Sequence, residues 1–542
     1  MPRTSRLQLA SSRSPLFLVA DFERCGYSQQ RLAPGESIRI HRVEQRRSEC
    51  HPFAPRTPVA RFFSFSSSMS VLTVVHLLGL GLPFLSHLKR MSRISSSLIV
   101  LCAAAVACAA PKRDAVPVVG TESPYLLVSA GDGDGKDSDF FAVINVSSDS
   151  PDAGKVVSSL PTGLKESLPH HTEYLLPPDG EMLFANAHHL ETSFLVDVSN
   201  PLALRITKTF TPPAPLRFPH DFTRTPNGTR LVGFLRSEGK SIDTTETETP
   251  GNFGGIAEYS ADGVVMRTAM AGNAGSKPVR PYAFALPPGI DRLVVTSASM
   301  MENVSADVVQ VYRYSDFKLL KTIDLPVGKL ADGRVVDGSQ RAGFGPRVLA
   351  DGSVFFNSYG CTFYRLSDIG SDDPKLETFF ALDTPAAPEP TSIRGACGIP
   401  VVFAHYWIQP AGKLHSVVVL DIAHPSRPRE IFRLAMPDSF NPHWLARDPK
   451  SNRLVLGAEL GGEEGFYILR FDESSGRLSY DPALNGEGHP GYVSLKNQKW
   501  PHGDTGPAWG HAALFLPIGR AAPQRELGSD SIRNWARAVI GV

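Results

Sequence analysis

Five short segments of this chain each place a histidine beside the start of an apolar run: HHTE from His170, PHDF from Pro219, AHYWIQ from Ala404, NPHW from Asn441 and WGHAALF from Trp509. Two more of the same kind, RPYAF from Arg280 and GPRVL from Gly345, carry arginine instead. Only 16 histidines are spread over 542 residues, so placement at equivalent points exceeds what composition would scatter. Neutral imidazoles suit copper, zinc or iron, and several converging on one opening would leave a metal site accessible to a substrate or to oxygen. His171, His220, His405, His443 and His511 are therefore the candidate ligands. Arg280 and Arg347 are placed to hold an anionic substrate group or to stabilise charge beside the metal. Glu173, two residues after His171, falls on the same face of an extended strand, where it would orient an imidazole or act as a base. The competing reading has the same histidines hydrogen-bonding between repeats around a wet channel with no metal.

Only a repeat could bring residues so distant in sequence together. One is present, clearest in DGEMLFANA from Asp179, NGTRLVGFL from Asn227, IDRLVVTSA from Ile290, DGSVFFNSY from Asp351 and SNRLVLGAE from Ser451. Asp-Gly and Asn-Gly are hairpin turn signals, and the runs that follow them alternate as strands do. Matching third strands follow, among them SFLVDVSNP from Ser193 and SVVVLDIAHP from Ser416, and then variable, edge-like fourth strands. Six four-stranded units begin near His171, His220, Arg280, Arg347, Val402 and His443. A seventh assembles from both ends, with HAALFLP from His511 as inner strand and the strands from Tyr125 and Phe140 outside it. The spacing of about 41 to 68 residues suits four-stranded blades with loop insertions. The expected fold is all-β, a seven-bladed β-propeller over 124–517, closed by pairing N-terminal strands with a C-terminal inner strand so that no long sheet edge is exposed. Its first strands all run the same way along the channel, which gathers their opening residues at one mouth.

Composition agrees with turns and strands rather than long helices: 46 Gly and 45 Pro, 42% apolar and 20% charged residues. Residues 1–90 hold 13 Lys/Arg against 5 Asp/Glu, leaving 42 against 49 for the remainder. That acidic balance, with no basic stripe interleaved with aromatics, argues against nucleic acid as a partner. Residues 91–110 combine a Met, a basic start, an apolar run from Leu98 and small residues, as a secretory signal does. The expectation is an exported chain, periplasmic or secreted, whose residues 1–90 are a non-native or targeting extension without fold. Residues 111–123 read as linker and 518–542 as tail. Cys108 follows Ala-Val-Ala without the Leu of a lipoprotein box, so membrane attachment would require its lipidation. Cys361 and Cys397 are the two cysteines of the folded region, read either as one disulfide or as a free buried pair. A monomer is expected, with a small-molecule substrate at the channel mouth.

Other motifs carry less. GDGDGKDSD from Gly131 is acidic and glycine-rich but lacks the bidentate Glu of a calcium loop, and reads as a solvated turn. Asn145, Asn227 and Asn303 open glycosylation sequons that matter only in a eukaryotic secretory route. No P-loop, dinucleotide fingerprint or nucleophile elbow is present.

The run DFFAVINVSSDSPDAGKVVSSLP followed by LPHHTEYLLP resembles the opening of the selenium-binding protein/methanethiol oxidase family. PHDFTRTPNG, SVVVLDIAHPSRPREI and GPAWGHAALF are similar to later strands of that family, in order over 124–516. The resemblance implies a seven-bladed propeller and a copper-dependent oxidase that converts methanethiol, oxygen and water to formaldehyde, hydrogen sulfide and hydrogen peroxide. It implies the metal role for His171, His220 and His511, to which repeat geometry adds His405 and His443. The Cys-Ser-Ser-Cys-like segment of the family is absent and the blades are shorter, which separates the thiol chemistry from the fold. Copper is the expected cofactor, with another transition metal as the variant. A non-enzymatic binding propeller and a lactonase-like hydrolase are the alternative functions; the second would call for carboxylate-rich calcium or zinc ligation.

Overall fold

The computed structural model describes residues 122–517 apart from 178–179, 238–252, 273, 275–277, 299–305, 336–340, 385–395, 460–463 and 504–505. The expected extension, signal, Cys108 lipidation, tail and Asn303 sequon lie outside the described residues.

Seven antiparallel sheets follow one another around a central channel, as the repeat predicts. Blade 1 pairs Tyr125–Asp132, Phe140–Asn145 and Val156–Pro161 with the C-terminal Ala508–Leu516, which takes the inner place. Blades 2, 3 and 4 open with Pro169–Thr172, Leu216–Arg224 and Pro281–Ala285. Blades 5, 6 and 7 open with Arg347–Val348, Val401–Phe403 and Pro442–Arg447. Blade 7 gains a fifth strand, Tyr492–Ser494, which pairs with Gly465–Asp472. Among the described residues the one helical element is a 3-10 turn, Gly412–Leu414.

Burial falls from the axis outward. Inner and second strands such as Pro169–Thr172 and Arg230–Ser237 are buried throughout, whereas the fourth strands Arg205–Phe210 and Arg429–Ala435 keep exposed residues in alternation. The apolar clusters lie between blades: Phe184 of blade 2 packs on Phe222 of blade 3, and Tyr406 of blade 6 on Phe471 of blade 7. A ring fully buried in this way contributes about 1.5–3 kcal/mol, so each blade is stable chiefly through its neighbours. Parallel bridges between inner strands, Glu173 to Phe222 and Ile399 to Trp444, show that adjacent inner strands run in the same direction.

Buried arginines tie blades together. Arg230, at the start of a second strand, reaches Glu173 Oε1 (3.2 Å) and Met182 O (3.0 Å) of blade 2. Arg453, at the matching place in blade 7, donates to Val146 O (2.6 Å) and Ser123 O of blade 1 and pairs with Asp448. Asp448 in turn accepts from the Ser123 amide (2.9 Å) and hydroxyl (2.6 Å). Of the two readings of the cysteines, the disulfide holds: Cys361 and Cys397 are bonded across 5.1 Å between Cα atoms, linking blade 5 to the entry of blade 6.

Candidate metal centre

The inner strands are irregular at one level. Pairing with the second strand shifts register between Pro169 and Thr172, Pro219 and Phe222, Pro281 and Phe284, Pro442 and Trp444, and opposite the Val128–Ala130 step in blade 1. Such bulges re-aim side chains that regular pleating would send to alternate faces. The residues they hold are His170 and His171, His220, Tyr282, His443 and His511. In four of them a proline leads the bulge, where its missing N–H costs the ladder nothing. Asn186 locks the blade 2 bulge, accepting from the His171 amide (2.7 Å) and donating to Pro219 O (2.7 Å) of blade 3.

The histidines therefore come from four consecutive blades, 7, 1, 2 and 3. His170 stacks on His171 and on His511, each with ring centroids 4.2 Å apart. His171 meets His220 at 4.1 Å, and His443 meets His511 at 5.0 Å. One ring nitrogen from each of His170, His171 and His511 lies within 4.8 Å of the others. Tyr282, Trp444 and Tyr174 enclose the group, with Tyr282 4.1 Å from His220 and Trp444 5.1 Å from His171.

The cluster is buried and short of partners. Both nitrogens of His170, His171 and His511, His220 Nε2 and His443 Nδ1 have none within hydrogen-bonding geometry. The Ala458 carbonyl lies beside His511 but outside that geometry. His220 Nδ1 faces Tyr282 O at 3.3 Å, and His188 Nδ1 faces Pro219 O at 3.2 Å. A ring N–H held by a carbonyl leaves the opposite nitrogen as a lone-pair donor, the usual second contact of a metal-bound histidine. Burial first, and then mutual proximity, pushes His170, His171, His220 and His511 well below the usual histidine range, and burial lowers His443 as well. Burial takes His188 down to about 4. All are neutral at pH 7, as ligands must be. The donor set is rich in nitrogen and suits a borderline transition metal; a hard cation such as calcium would ask for oxygen.

His171, His220, His443 and His511 thus stand together, and two further members were not foreseen. His170 joins His171 because the bulge breaks the two-residue period that would send adjacent side chains to opposite faces. His188 follows the Met182–Ala187 strand, a position that reads as loop in the sequence, yet it is buried with its ring 5.4 Å from His170. For His170 the available signal was the proline, Pro169, that leads its bulge as prolines lead three others.

Three expectations are corrected. His405 is exposed in the turn between Val401–Phe403 and Tyr406–Ala411, against Tyr406, because the blade 6 inner strand has ended before it. At the histidine level blade 6 instead offers Gly398, where an added Cβ would sit 2.0 Å from His443 O. Glu173 points away from the cluster and is gripped by Arg224 (2.6 Å), Arg230 and the Phe184 amide (3.1 Å), so it serves the blade 2–3 junction. Arg280 and Arg347 are also out of register, since Tyr282 and Phe344 occupy their blades' histidine level, with rings 4.2 Å apart. Arg280 is buried and donates to Leu235 O (2.7 Å), while Arg347 lies over Tyr174, 4.7 Å from its ring centroid. His502, in the segment WPHGDTGP just before the blade 1 inner strand, lies apart, at Ser159 Oγ (2.6 Å). Asp132, Asp134 and Asp137 do approach one another in the acidic turn, with Lys136 paired to Asp134.

Asp221, next to His220, is fully buried, and burial pushes its carboxyl up to about 6. Its Oδ2 accepts from Thr223 (2.8 Å), while Oδ1 and the nearby Tyr174 hydroxyl have no partner in hydrogen-bonding geometry.

No protein-family model matches the chain, and no curated protein sequence matches it. Solved structures do. A hypothetical selenium-binding protein from Sulfolobus tokodaii superposes with a TM-score of 0.54 at 14% identity, over 72% of this chain and 93% of that one. The periplasmic gluconolactonase of Pseudomonas aeruginosa aligns with a TM-score of 0.44 at 15% identity, over 66% and 94%. The first likeness is one of fold, and it supports the seven-bladed propeller read from the repeat and seen in the sheets.

Proposed function

We propose that the chain is a metal-binding propeller whose metal, copper by expectation, is held by His170, His171, His220 and His511, with His443 beside them, and that it acts as an oxidase of a small reduced molecule such as a thiol. The observation that carries this reading is the set of buried ring nitrogens without partners. Left so, each costs about 1–3 kcal/mol, and a metal ion would satisfy several at once. Neutral imidazole donors favour copper on the general affinity order of divalent ions. Bound there, copper would supply one-electron redox chemistry between the reduced molecule and oxygen. The chain itself contributes three things. Carbonyls behind His220 and His188 fix ring orientation. Trp444, Tyr174 and Tyr282 keep water from the group. Asp221, poised near neutrality, can take or give a proton close to His220. A purely structural, metal-free propeller would have to tolerate the unpartnered nitrogens, and a calcium-dependent lactonase would have to do without oxygen ligands among the clustered histidines.

Metal content measured by mass spectrometry on the full chain, before and after copper reconstitution, tests the reading. One copper per chain, lost in a His171→Ala, His511→Ala double variant that keeps its β-sheet circular dichroism, is the expected result; thiol-dependent oxygen uptake and peroxide release should follow copper. A chain that retains no transition metal after reconstitution overturns it.

A further inference from the structure

Beyond the histidine level the inner strands continue toward the opposite end of the channel and open into a cavity of about 420 Å³. Blades 2 to 7 all contribute to it through residues that follow the bulges, from Tyr174 and Arg224 to Val402 and Arg447. Its walls are apolar, formed by Leu286, Pro287, Pro288, Ile290, Val401 and Val402. The size lies within the usual range for a small-molecule site.

Two cations of this cavity stand apart. Several other buried and half-buried arginines take carboxylates, Arg224 of the cavity lining among them: Arg224 and Arg230 hold Glu173, Arg453 holds Asp448, and Arg470 holds Glu122 and Asp481. Arg347 and Arg447, which line the cavity, make no ion pair among the described residues. Arg347 donates to two carbonyls, Pro346 O (2.9 Å) and Pro400 O (2.8 Å), while its face lies on Tyr174. Arg447 lies over Phe403, 4.5 Å from the ring centroid, and its buried Nε has no partner. Arg292 joins them, also with an unpartnered Nε and with its outer nitrogens on the Asp291 and Gly370 carbonyls. Asp221 is the one carboxylate near Arg347, and it lies beneath, beside His220. No carboxylate lines this apolar-walled cavity, although Asp448 and Glu473 lie near enough to Arg447 to act on its charge, and a guanidinium outside an ion pair keeps planar donors for a carboxylate.

We propose that this cavity is a binding site for an organic carboxylate with an apolar body, the carboxylate directed to Arg347 and Arg447 and the body laid along the proline, valine, isoleucine and leucine wall. A wholly apolar occupant would leave the guanidiniums unanswered, and a small inorganic anion would leave the wall wet. The site does not depend on the metal reading, because none of its recognition groups belongs to the histidine cluster.

Octanoate and its uncharged counterpart 1-octanol separate the two contributions when titrated calorimetrically into the full chain, with and without added copper. Octanoate should bind at least about tenfold more tightly than octanol. Arg347→Met and Arg447→Met should each weaken octanoate by about tenfold with little effect on octanol, while Arg334→Met, at an exposed residue outside the cavity, should change neither. Three outcomes overturn the proposal: octanol binding as tightly as octanoate, no binding of either at millimolar concentration, or undiminished octanoate binding in folded arginine variants. The first comparison needs no variant, so a misfolded substitution leaves the test intact, and failure of copper uptake has no bearing on it.

Discussion

Imidazoles crowded without partners make the stability of the metal-free chain depend on pH in a definite direction. In the unfolded chain a histidine takes up its proton near pH 6.5. In the fold, burial holds His170, His171, His220, His443 and His511 below that value. The unfolded state therefore binds more protons in the window beneath about 6.5, so the contribution of these groups is fully present above that pH and is lost as pH falls through it. Thermal melts of metal-free protein should show Tm falling by roughly 5 °C or more between pH 7.5 and 5.5. A His170→Gln, His171→Gln variant should show a shallower fall, and equal slopes in the two proteins would refute the assignment. The two adjacent histidines also show what a sequence can hide. Their types and their place in the repeat were legible, but which of the two faces the channel was not, because the two-residue period fails inside a bulge.

Among the elements, the bulged inner strand is the device that builds the site, and Asn186 is its fastening. Asn186→Ala removes an acceptor from the His171 amide and a donor from Pro219 O, both buried. The expected cost is about 1–3 kcal/mol of stability, read from urea unfolding midpoints, together with weakened copper retention. Asn186→Ala at wild-type stability would show that the bulge holds without it. The second strands were easily read, since Asp-Gly or Asn-Gly turns precede long apolar runs. Inner strands in blades 5 and 6 were not: Arg347–Val348 and Val401–Phe403 are too short to display any alternation. Their register slipped accordingly, by three residues in blade 5 and seven in blade 6, which exchanged Phe344 for Arg347 and Gly398 for His405.

The whole ring stands on its junctions, and the one between blades 7 and 1 joins Ser123 to Asp448 across 325 positions of sequence. Arg453 and Asp448 secure it from inside, fully buried, through Ser123 and Val146. Arg453→Met leaves the Asp448 carboxylate buried without its cation, a change that costs about 3–5 kcal/mol in comparable settings. A lowered Tm is expected, with limited proteolysis opening first near residue 122; a Tm equal to wild type would mean that the apolar blade faces hold the ring alone.

That the last inner strand, Ala508–Leu516, carries His511 has a consequence in time. A chain made from its N-terminus presents His170, His171 and His220 early, but the ring they share with His511 cannot close until nearly every blade has emerged. Were these histidines to hold an ion as proposed, capture by the full set would wait until the Ala508–Leu516 strand had closed blade 1.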